Sequence, residues 1–241
     1  MLREAQQVIG CAIGATNGEV GKVEDFYFDD QAWTMRYLVV ETGAWLNRRK
    51  VLISRRNLGD PQWDRKLLAA SITIEEVKSS PPINTTKPVS RQHELLFLSH
   101  YQNPRYWECA GPPTVAPTPT GQLLDAKFGW SDAQFSNAVA VLNHRGANTN
   151  EHLRSCNAVL QYSIRSQNGD LGTVHGLLLE EEDWTIRYLI VRTGHWWRYH
   201  PILVGVESIT SVNWLDSSFS VSATRQSAIA ASIYDPAHPP V

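Results

Sequence analysis

The feature that most constrains this chain is a gapless internal repeat. Residues 8–54 align with residues 159–205 at a constant offset of 151. About a third of the aligned positions are identical, too many over too long a stretch for chance. They include Val8, Ile13, Asn17, Gly18, Gly21, Val23, Trp33, Thr34, Arg36, Tyr37, Thr42, Gly43 and Trp45. Phe26, Tyr27 and Phe28 face Leu177, Leu178 and Leu179, and Trp63 and Trp214 keep the same offset. A duplication of this kind specifies one small module made twice.

Each copy reads as a run of short strands. Asn17-Gly18 and Asn168-Gly169 sit between apolar stretches, a hairpin signal in which both turn residues take positive φ. A second hairpin is expected to turn through Asp29-Asp30-Gln31-Ala32, matched by Glu180-Glu181-Glu182-Asp183, with its acidic tip facing water. The returning segments WTMRYLVVETG and WTIRYLIVRTG are rich in β-branched and aromatic residues, which favours strand. Alternation puts Trp33, Met35, Tyr37 and Val39 on one face and Thr34, Arg36, Leu38 and Val40 on the other. Both faces are largely apolar, as in a central strand of a closed or nearly closed barrel. Thr73 and Glu76 have capping-box spacing, and Ser90 is placed to cap a short helix over RQHELLFLSHY that presents Leu95 and Leu98 on one face.

The resulting fold class is mainly β: two small β-barrels in tandem, with short helices and an irregular proline-rich connector. The expected divisions are 1–103 for the first barrel with its strap and helix, 104–154 for the connector and 155–241 for the second barrel. A marginal helix is expected within 122–150. A formal charge of -2 offers no basic stripe and argues against nucleic acid as a partner. No apolar run approaches the ~20 residues that cross a bilayer, and MLREAQQVIG lacks the layout of a secretory signal. A cytoplasmic protein is therefore expected, free or peripheral to a membrane complex.

The motifs NGEVGKVEDFYFDD with WTMRYLVVETG, and NGDLGTVHGLLLEEEDWTIRYLIVRTG, resemble the PRC-barrel domain. The stretch SSPPINTTKPVSRQHELLFLSHYQNPRYW is similar to the segment after the barrel in bacterial proteins with two such domains. The family includes the cytoplasmic domain of the photosynthetic reaction centre H subunit and the C-terminal domain of the ribosome maturation factor RimM. The resemblance implies contact with other proteins. A non-enzymatic binding or assembly module is the first expectation. An accessory of photosynthetic or membrane electron transfer and a ribosome-assembly factor are the alternatives.

No residue pattern nominates a reaction. A GxSxG elbow and an HExxH motif are both missing, and the glycines at 10, 14, 18 and 21 flank a hairpin rather than a strand-to-helix turn. His93, Glu94 and His100, and likewise His144, His152 and Cys156, lack a recognised metal-ligand spacing, so no metal and no cofactor are expected. Cys11, Cys109 and Cys156 do not form a disulfide framework. Asn17, Gly18, Arg36, Gly43, Asn168, Gly169, Arg187 and Gly194 read as scaffold, with each arginine paired to acidic hairpin residues.

Partner-binding candidates are the aromatic tips, because Trp, Tyr and Arg dominate interface hot spots. They are Trp45, Arg48 and Arg49 in the first copy and His195, Trp196, Trp197, Arg198 and Tyr199 in the second. Tyr106 and Trp107 in the strap join them. The repeated Trp45 and Trp196 are expected to pack on their own barrels, whereas Trp197 and Tyr199 are equally open to the other barrel or to a partner. Pairing of strand edges makes a homodimer a further expectation.

Overall fold

The computed structural model describes residues 1–81, 83, 91–103, 152–195, 198–227 and 234, and at 91–93, 95, 194, 195 and 198–200 the backbone alone. The connector over 104–151, its marginal helix, and Tyr106, Trp107, Trp196 and Trp197 lie outside the described residues.

The first repeat supplies β1 (Leu2–Glu4), β2 (Ala12–Ala15), β3 (Gly18–Asp29), β4 (Thr34–Thr42), β5 (Lys50–Ser54), β6 (Leu58–Gln62) and β7 (Leu67–Ala70). Helices α1 (Ile74–Ser79) and α2 (Arg91–His100) come next. The second supplies β8 (Leu153–Ser155), the single turn α3 (Cys156–Val159), β9 (Ser163–Ser166), β10 (Gly169–Glu180), β11 (Ile186–His195), β12 (Arg198–Gly205), β13 (Ile209–Asn213) and β14 (Ser218–Val221). No helix among the described residues is long and apolar enough to cross a membrane.

Two seven-stranded sheets result, ordered β5-β4-β3-β2-β7-β6 and β12-β11-β10-β9-β14-β13, the same order under the repeat offset. These are two β-barrel-like domains in tandem. In β4, Met35, Tyr37, Leu38, Val39 and Val40 are all buried, so both faces of this central strand are covered. That is the burial its two-sided apolar pattern requires.

The seventh strand of each sheet is exchanged. β1 pairs antiparallel with β10 of the other repeat, Leu2 opposite Glu180 and Glu4 opposite Leu178. β8, its counterpart, pairs with β3. Compact units therefore do not coincide with the two halves of the chain. One consists of Met1–Gly10, Asp25–Arg36 and Arg154–Val241, the other of Cys11–Glu24 and Tyr37–Leu153.

Inside the first of these units, contacts come in pairs related by the repeat. Arg3 is bonded to Glu181, and the corresponding Arg154 meets Asp30 at 2.8 Å. Met35 N–H donates to the Trp184 carbonyl at 2.9 Å and Ile186 N–H to the Trp33 carbonyl at 2.7 Å. The hydroxyls of Thr34 and Thr185, equivalent residues, meet at 3.2 Å. To aim their carbonyls this way Trp33 and Trp184 adopt φ of 52° and 58°, a left-handed conformation that is strained for a bulky side chain. The strain is held by packing: the Trp33 ring stacks on Phe28 and lies 6.0 Å from Phe219.

Two expectations are corrected. The first hairpin turns one residue earlier than expected, through Thr16-Asn17, with Ala15 opposite Gly18. The positive φ sits on Gly18 and Gly169 alone. Asn17 instead accepts from Ile74 N–H at 2.9 Å and donates to Glu75, and Asn168 likewise accepts from Arg225 N–H at 2.8 Å. The asparagine is repeated because its side chain ties the hairpin to the helical turn beyond the barrel. The acidic tip does not simply face water either. Asp29 is 6% exposed, because its carboxylate closes the turn by accepting from Gln31 and Ala32 N–H and also receives Arg36.

Candidate functional site

A β-bulge builds the first aromatic tip. Between β2 and β3 the register shifts, Gly21 opposing Ile13 and Glu19 opposing Gly14. The extra residue, Val20, is left with a carbonyl outside the ladder. That carbonyl accepts from Gly43 N–H at 3.2 Å and from Trp45 Nε1–H at 3.1 Å. The indole is thereby fixed by its polar edge and is still 39% exposed, with Lys78 Nζ over its ring 5.8 Å from the centroid.

The tip is a short 3-10 turn, Ala44–Leu46, after which Asn47 and Arg48 both take φ of 53°. Arg48 is exposed beside the indole's turn. Arg49 is turned inward. Its guanidinium donates to the carbonyls of Val77 at 3.3 Å and Ser80 at 2.7 Å. Those are carbonyls at the C-terminal end of α1, where a cation both satisfies orphan acceptors and opposes the helix dipole. Of the three residues singled out in this tip, two present to solvent and one closes a helix.

The second tip has a different shape. β11 and β12 stay paired to its end, Gly194 opposite Tyr199 and His195 opposite Arg198. Trp196 and Trp197 lie outside the described residues. The two copies thus share Gly43 with Gly194 at the start of the tip, and then diverge into a helical turn and an extended hairpin.

Arg36 lies 3.5 Å from Asp29 and Arg187 2.8 Å from Asp183. These acids are not equivalent under the repeat, so the arginine is kept while its partner moves along the turn. The Arg187 pair is half exposed and contributes little to stability.

A polar cluster lies behind the first tip. His100 Nε2–H donates to the Glu76 carbonyl at 2.8 Å, and its ring meets Tyr101 edge-on at 4.7 Å. Burial holds the imidazole below its ordinary value of 6.5 despite that hydrogen bond. The Tyr101 hydroxyl is pushed up to about 12 by the same desolvation. His152 pairs with Glu94 at 3.0 Å, both buried. Cys11 and Cys156 are buried; desolvation lifts the Cys156 thiol well above the usual range, which makes it a poor nucleophile. Among the described residues no group of three His, Cys, Asp or Glu side chains could hold a metal ion.

The His100 shift carries a prediction. A folded-state value below the unfolded one means that the unfolded chain binds more protons in the window just below 6.5. Stability is complete above that window and falls as the solution is acidified through it. Urea unfolding at neutral pH and near pH 5.5, still above the usual carboxylate range, should show wild type losing stability and His100→Gln losing less.

Residues 2–76 match the family model of the PRC-barrel domain. The first repeat is a PRC-barrel domain. No curated protein matches the chain. The PRC-barrel match runs from β1 through the first turn of α1, so it takes in the exchanged strand, the bulge and the Trp45 tip. The second copy repeats the strand order of the first. Arg3 and Arg154 are organising residues that sequence reasoning missed. Their signal is present, since Leu2-Arg3 and Leu153-Arg154 keep the offset of 151 ahead of the repeat as aligned.

Proposed function

We propose that this chain is a non-enzymatic protein-binding module and that the Trp45–Arg48 tip of its first PRC-barrel domain is a partner-binding surface. One observation carries the reading. Trp45 is fixed by a hydrogen bond through its Nε1 and still 39% exposed, with the exposed Arg48 next to it on a left-handed turn. An anchored aromatic loses little conformational freedom on binding, and a neighbouring guanidinium adds directional contacts. Arg48 belongs to the first copy alone, its counterpart being Tyr199. Most other residues common to both copies are occupied in turns, exchanged strands and reciprocal hydrogen bonds. The tip of the first copy is set apart by what surrounds the shared tryptophan, Arg48 above all. The module acts in the cytoplasm.

A photoactivatable amino acid placed at position 48 in the native cell should cross-link one defined protein. The same group at Lys22, exposed on β3, should not. Trp45→Ala in the position-48 background should reduce that product by more than about tenfold, with a hot-spot loss of roughly 2 kcal/mol. Equal cross-linking from both positions, or no effect of Trp45→Ala, would refute the assignment.

A further inference from the structure

We infer that β13 is a self-pairing edge through which two copies of this chain dimerise. The two sheets end in equivalent strands, β6 in one and β13 in the other, each at the end of its strand order. Unpaired sheet edges recruit further strands unless they are blunted by proline or charge. The first repeat is blunted three times, by Asp60, Pro61 and Asp64; the second has Ser211, Val212 and Leu215 at those positions. Leu215 is 96% exposed, an apolar side chain almost wholly in water.

Register gives the orientation. Pro61 stands opposite Leu68 and Val212 opposite Phe219, the same pair under the repeat. Proline has no N–H, so this pair is one in which the backbone groups of the edge residue point away from the neighbouring strand. Val212 therefore offers both N–H and C=O outward. An antiparallel partner centred on Val212 satisfies them with the same groups of its own Val212. That registration sets Ser211 against Asn213 and brings Leu215 of one copy towards Ile209 of the other. β13, ITSVN, carries no charge, so self-pairing meets no like-charge repulsion along the strand. A two-fold contact of this kind is self-complementary by construction. A second copy therefore matches the edge residue for residue.

Sedimentation velocity on the full chain over the micromolar range should show a monomer–dimer equilibrium. Val212→Pro, which the first repeat shows the fold accommodates, should weaken dimerisation by at least about tenfold without changing the circular dichroism spectrum. Leu215→Asp, the residue the first repeat carries there, should do the same. Trp45→Ala should leave the mass unchanged, which separates this edge from the proposed partner tip. A strictly monomeric wild type, or a dimer that withstands both Val212→Pro and Leu215→Asp, would overturn the inference.

Discussion

Gly172→Ala should leave the second sheet unable to close, lowering stability by at least about 4 kcal/mol, at the extreme of single-residue effects. A methyl group there would lie 2.1 Å from the Arg192 carbonyl oxygen and 2.9 Å from its carbon, far inside van der Waals contact. Gly172 also has φ of +152°, which a side-chain-bearing residue rarely adopts. Neither problem is relieved by a rotamer change, because the obstacle is backbone held in the β10–β11 ladder. The equivalent Gly21 would place a methyl group 2.0 Å from the Glu41 carbonyl oxygen, and Gly21→Ala should fail as severely. Both glycines come directly after the bulged residues Val20 and Leu171, and each lies against backbone of the strand on its other side, Glu41 in β4 and Arg192 in β11. Chemical unfolding of each variant checks this. A loss below about 1 kcal/mol, or the gain of roughly 0.5–1 kcal/mol that alanine ordinarily brings over glycine in regular structure, would mean that the bulge is not the constraint described.

Removing Met1–Glu4 should destabilise the second repeat's sheet, although the deleted residues lie nearly 180 positions from β10 in sequence. The deletion removes the β1 ladder, the buried Leu2 side chain, the Arg3–Glu181 ion pair and the bond from Tyr234 to Glu4. Burial of one leucine contributes about 2 kcal/mol and a few net hydrogen bonds about 1 kcal/mol each, so a loss of about 4 kcal/mol is expected. Hydrogen exchange locates the effect. Amides of β10 around Leu178–Glu180 should lose protection first, ahead of β4 and β5. Early loss of protection in the first repeat's sheet would contradict the exchanged-strand topology.

Much of this architecture is legible in the amino-acid sequence. The returning strand is apolar on both faces and proves central and buried; the Thr73–Glu76 capping box forms as its spacing indicates; α2 spans the RQHELLFLSH segment. Strand exchange is not legible there. A constant offset shows that two segments are equivalent, but each could pair with its own copy or with the other at the same offset. Only three-dimensional register separates those cases. The role of Asn17 is hidden for a related reason. Asn-Gly commonly marks a left-handed turn, yet here the asparagine answers to a helical turn 57 residues away. Burial of Asp29 is concealed because the turn's own N–H groups, invisible in sequence, are what draw its carboxylate inward.

The candidate site divides along the same line. Which residues populate the tips can be read directly, and the repeat of Trp45 points to packing on its own barrel as well as to availability for contact. Its geometry cannot be read, since it depends on the Val20 carbonyl freed by a bulge 25 residues earlier. The inward turn of Arg49 likewise depends on where α1 ends.

The claim that the partner surface is made by the residues around the shared Trp45 that differ between the copies can be tested by a graft. Replacing Ala44–Arg48 with the five residues found at 195–199 keeps Gly43, Arg49 and the helix end they organise. Thermal unfolding should move by only a few degrees, as for a loop substitution of about 1 kcal/mol, while the partner captured from position 48 of the native chain should no longer bind. Retained binding by the grafted protein, or loss of its folded state, would contradict the claim.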